Sequence, residues 1–104
     1  MVNLLEVLIM IDRREFTDYV SGIADKWNMD IEMLEGSYDL IDEDSKNEYQ
    51  KKIDSLKKQR KHLLEKEGEI EKASNDMLKS IKESIEEAKE NFEETMKEIK
   101  DKFQ

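Results

Sequence analysis

The sequence predicts an all-α protein, a long antiparallel helical hairpin, and three observations carry that prediction. Large apolar residues recur every 11 positions in both halves of the chain, proline is absent with only three glycines present, and 43% of residues are charged against 37% hydrophobic. Eleven residues over three turns is about 3.67 per turn, close to the natural 3.6, so the apolar stripe stays on one side of a long helix and forms a coiled-coil seam. Few breakers leave little with which to shape turns, and so much charge suits helices that each bury one narrow stripe.

The chain is read as one helical domain spanning 1–104, beginning with an apolar arm at 1–11. Within it, Val2–Ile11 is interrupted only by Asn3 and Glu6. It is too short to span a bilayer, which takes about 20 apolar residues. It lacks a preceding basic residue, and Asp12, Arg13 and Arg14 stand where a signal peptide would carry small residues. Three readings stand for it: an extended arm pairing with a second copy, a helical turn folded on the bundle, or a segment upstream of a start at Met10. If present it should be buried.

The first helical arm is placed at 12–66. Asp12 with Glu15 makes a capping box, and Ile11 with Phe16 has the spacing of a hydrophobic staple. Phe16, Trp27, Tyr38 and Tyr49 then follow at 11-residue intervals, flanked by Val20, Ile31, Ile53 and Leu64 and by Ile23, Leu34 and Leu56. Arg60 replaces the aromatic in the last repeat. A break near 36–44 is the competing reading, supported by Gly36, Ser37, the acidic run Asp42–Asp44 and a second capping box of Ser45 with Glu48. A glycine inside a helix costs only about 1 kcal/mol, so continuity is favoured. The turn is placed at 67–69, with Gly68 as a left-handed helix end.

The second arm, 70–104, carries the clearest repeat. Ile81, Phe92 and Phe103 form one line, Ile85 and Met96 a second, and Met77, Ala88 and Ile99 a third. Such a stripe needs a partner helix. A second arm of this length covers the first only back to residues 33–35. Phe16, Val20, Ile23, Trp27 and Ile31 are therefore expected to be the self-association interface, making a dimeric four-helix arrangement. The alternative is a compact three-helix bundle of about 13–35, 45–66 and 70–103, which covers the same residues within one chain.

Charge is blocked along the sequence. Residues 1–44 carry 3 basic and 12 acidic side chains, 45–66 carry 8 and 3, 67–69 carry 0 and 2, and 70–104 carry 7 and 10, for a net charge of −9. Folding the basic middle onto its acidic flanks, or onto a twin, neutralises that pattern. The basic segment Lys46–Lys61 suggests a weak nucleic-acid or anionic-surface site, but the acidic remainder opposes phosphate and the lysines are assigned to the flanks and solvent. His62 lacks a second histidine or any cysteine to complete a transition-metal site. Asp39, Asp42, Glu43 and Asp44 do not follow a calcium-loop spacing. Trp27 and the aromatic ladder are read as core, and Met29 and Met33 as broadening the buried face near it.

No catalytic residue, cofactor or metal is assigned. The function expected is that of a non-enzymatic structural or adaptor protein of the cytoplasm, acting by coiled-coil association with itself or with another helical protein. The alternative is a helical chaperone or secretion-associated module that holds a client in an apolar groove.

Overall fold

The computed structural model describes the backbone of residues 4–103 and the side chains of residues 13–103. Three helices account for nearly all of it: α1 (Leu4–Gly36), α2 (Lys46–Glu69) and α3 (Asn75–Phe103). The all-α class is thus what the chain adopts, in its three-helix form. Contacts between helices fix their directions. Along α1, Ser21, Asn28 and Glu35 meet Glu67, Arg60 and Lys57 in falling order on α2. Lys52 and Glu48 meet Glu98 and Lys102 on α3 in the same reversed sense. The bundle therefore runs up, down, up, with α1 and α3 parallel.

The unbroken 13–66 helix is not formed. A helix of that length would be about 80 Å long, whereas the molecule measures 65 Å along its principal axis. Between α1 and α2, single-turn 3-10 helices at Tyr38–Leu40 and Glu43–Ser45 flank Ile41 and Asp42, whose ψ of 141° makes them extended. The weak helix formers Gly36, Ser37, Asp39, Asp42, Asp44 and Ser45 lower the cost of breaking here, and the acidic cluster is unfavourable at the C-terminus of a helix but favourable at the start of the next. Folding back is what outweighs the lost helix. It fully buries Val20, Trp27, Ile31 and Leu34, a gain of about 6–12 kcal/mol at roughly 1.5–3 each.

Other local expectations are corrected. α1 begins at Leu4 and passes through Asp12, so Asp12 is not a helix start. Leu4, Leu5, Glu6, Leu8 and Met10 are good helix formers with no breaker before Arg13. The backbone from Leu4 is helical rather than an extended arm, while the expected burial of Val2–Ile11 falls outside the described side chains. Ser45 does stand at the N-cap of α2, yet its side chain makes no capping hydrogen bond. Gly68 lies inside α2, without positive φ. The reversal comes later, through a 3-10 turn at Ile70–Lys72 and an extended Ala73. Ser74 then caps α3, its Oγ accepting from the Met77 N–H at 3.3 Å and its carbonyl from Leu78 N–H at 2.8 Å.

This placement reverses the sign of one substitution. An added Cβ at Gly68 meets no atom within 4 Å, and alanine is a better helix former than glycine by about 1 kcal/mol. Gly68→Ala should raise stability by about that amount in a urea titration. A lowered midpoint would show that the residue needs glycine's conformational freedom.

The core runs the length of the bundle. From α1 it takes Val20, Ala24, Trp27, Ile31 and Leu34, from α2 Tyr49, Ile53, Leu56 and Leu63, and from α3 Leu78, Ile81, Ile85, Ala88, Phe92 and Ile99. Ile70 and Ala73 close it at the α2–α3 turn. Within each helix the spacing is three or four residues, doubled to seven only where the half-buried Arg60 and Met96 take the intervening place, and it decides two positions against the 11-residue lines. Leu63 is buried and Leu64 is 47% exposed, and Leu78 is buried while Met77 is 57% exposed.

Polar groups secure the ends. The Tyr49 hydroxyl donates to the Leu34 carbonyl at 2.6 Å, satisfying one of the last carbonyls of α1. Burial raises the Tyr49 phenol above its usual value, so its contribution to stability is intact below pH about 10 and is lost as pH rises through the folded pKa. At the other helix pair, Lys102 donates to Glu48 at 2.6 Å and holds that carboxyl below its usual range. No helix among the described residues is long and apolar enough to cross a membrane.

Candidate functional site

The residues expected to lack cover within the chain are covered by it. Val20, Trp27 and Ile31 are buried, and Phe16 and Ile23 are half-buried against the same core. Trp27 stacks on Phe92 with ring centroids 4.1 Å apart and planes 2° from parallel. Cover for α1 only back to residues 33–35 requires a first arm running straight to residue 66. Once the chain breaks after Gly36, both α2 and α3 lie along α1, and Val20, Trp27 and Ile31 become core rather than an outer surface.

What remains open is the side of α1 next to that core. α2 packs closely on both neighbours, whereas α1 and α3 meet chiefly through side chains, the Trp27–Phe92 pair among them. Between α1 and α3 lies a groove of about 490 Å³. Ile23, Trp27, Phe92, Met96 and Met33 give it an apolar floor, and four lysines and three carboxylates form its walls. On α1 the core residues 20, 24, 27, 31 and 34 are shadowed one position earlier by Tyr19, Ile23, Lys26, Asp30 and Met33. One residue is about 100° of helix rotation, so this second stripe faces the groove. Tyr19 is 43% and Met33 56% exposed.

The opposite flank of α1 is polar and closed. Ser21 donates to Glu67 at 2.6 Å, and Arg60 to Asn28 at 3.0 Å. Arg60, the residue that interrupts the aromatic ladder, thus joins α1 to α2. On the groove side the Tyr19 hydroxyl oxygen accepts from Lys89 at 2.9 Å, which raises the Lys89 ammonium above its usual value. Met29 lies away from both flanks and is 70% exposed, so neither it nor Met33 broadens the core as expected.

Three lysines of the basic segment meet acidic side chains, and Lys51, Lys58 and Lys61 are exposed. Lys52 pairs with Glu98 at 2.8 Å, Lys57 with Glu35 at 3.4 Å and Lys46 with Glu43 at 3.5 Å. His62 lines a shallow cleft between α2 and α3 with Lys58, Glu87 and Asn91. Among the described residues no group of three His, Cys, Asp or Glu side chains is placed to hold a metal ion. Compared with protein-family models, curated proteins and solved structures, the chain matches none.

Proposed function

We propose that this is a non-enzymatic structural or adaptor module of the cytoplasm that works by helix-to-helix association, including association with a second copy of itself. The observation that carries the reading is the α1–α3 groove. Three helices leave one side of α1 lined by Ile23, Lys26, Asp30 and Met33, and a further helix laid there would complete a four-helix arrangement. Sedimentation equilibrium tests it. The expected mass at high concentration is twice that of the 12.4 kDa chain, and a monomer at every concentration up to about 1 mM, where association would be worth less than about 4 kcal/mol, contradicts self-association.

Exposed methionines favour a second reading, a client-holding module. Met33 is in the groove, and Met29 and Met77 are more than half exposed. Methionine adapts to irregular partners. A self-paired groove should bind little hydrophobic dye, whereas a groove kept open for clients should bind it strongly.

A further inference from the structure

We propose that the groove-facing stripe of α1 pairs antiparallel with the same stripe of a second copy, about a two-fold axis beside residue 28. The inference rests on the association reading above and names its surface. The stripe is self-complementary about that point. Ile23 and Met33 stand five residues to either side of 28, and Lys26 and Asp30 stand two to either side. An antiparallel twin therefore sets Ile23 against Met33 of the second copy, and Lys26 against its Asp30, with both contacts repeated by symmetry. A parallel pairing in register sets Lys26 against Lys26 and Asp30 against Asp30. That arrangement loses two attractions and gains two repulsions.

The electrostatics of the whole chain point to the same face. The net charge is −9, so most surfaces of two copies repel. The groove walls carry four lysines against three carboxylates. On this face, the acidic excess that opposes self-approach is absent. The polar flank of α1 offers no comparable surface, because Ser21, Asn28 and Glu35 are already engaged by α2.

Cysteine pairs test the arrangement cleanly, since the chain has no cysteine of its own. Ile23→Cys and Met33→Cys are made separately and oxidised alone and mixed. In an antiparallel pair the two positions are level across the interface, whereas like positions are about 15 Å apart along the axis, at about 1.5 Å per residue. A disulfide needs its Cα atoms within about 7 Å. The mixture should therefore give a cross-linked heterodimer and neither variant alone should cross-link. Cross-linking of each variant with itself would show parallel pairing and overturn the inference.

A charge exchange gives an independent reading on solvent-facing side chains. Lys26→Asp should weaken the dimer about tenfold, as two attractive pairs become repulsive, and adding Asp30→Lys should restore it. If wild type is dimeric but the mixture does not cross-link and the exchange has no effect, the face is wrong while the association reading stands. A monomeric wild type overturns both.

Discussion

Trp27→Ala is expected to destabilise a single chain by about 3–5 kcal/mol, out of a total that for a domain of this size is about 5–15 kcal/mol. The indole is 3% exposed and lies flat on Phe92. Removing it takes away the ring pair that joins α1 to α3 and leaves a cavity in the middle of the core. The loss should appear as a lower urea midpoint by circular dichroism at concentrations where the chain is monomeric. Were Trp27 an outer association residue, the midpoint of the monomer would stay where it is and only the dimer constant would change.

Two adjacent leucines should differ just as plainly. Leu63 is fully buried and Leu64 is 47% exposed. Leu63→Ala should cost about 2–5 kcal/mol, and Leu64→Ala no more than about 0.5 kcal/mol. The contrast reads the rotation of α2 directly. Equal losses, or a larger loss at Leu64, would mean that α2 turns the neighbouring face to the core.

Much of α3 was legible in the sequence. Ile81, Ile85, Ala88, Phe92 and Ile99 lie on the 11-residue lines and are buried, because over a helix without breaks the apolar period alone sets which face turns inward. Beyond Gly36–Ser45 the same lines still mark Tyr49, Ile53 and Leu56, which are buried, and they miss by one residue at Leu64 for Leu63 in α2 and at Met77 for Leu78 in α3, because the buried seam advances in steps of three and four from which an 11-residue step drifts. The break itself is what the lines do not show. Whether a chain breaks there is a balance between a few lost helix bonds and the burial of Val20, Trp27, Ile31 and Leu34, and only the tertiary structure supplies the second quantity.

The turn at Gly68 was misplaced for a related reason. Glycine permits a left-handed end but does not require one, and here the chain reverses where Ile70 and Ala73 can close the core and Ser74 can cap α3. A serine followed two residues later by Asp76 was a signal for that start. The groove was half legible. Ile23 was marked as associating, but Lys26, Asp30 and Met33 join it only once α3 is placed beside α1.

The fold-back of α2 on α1 is the central claim, and one distance tests it. Asp25 and Lys61 are exposed on α1 and α2 near the level of the Asn28–Arg60 contact. Spin labels on Asp25→Cys/Lys61→Cys, diluted into unlabelled protein, should lie about 20 Å apart or less, given helix axes about 8–10 Å apart and side chains about 5 Å from each axis. An unbroken helix between the two positions would hold them about 54 Å apart at about 1.5 Å per residue, and a distribution centred there would contradict the three-helix bundle.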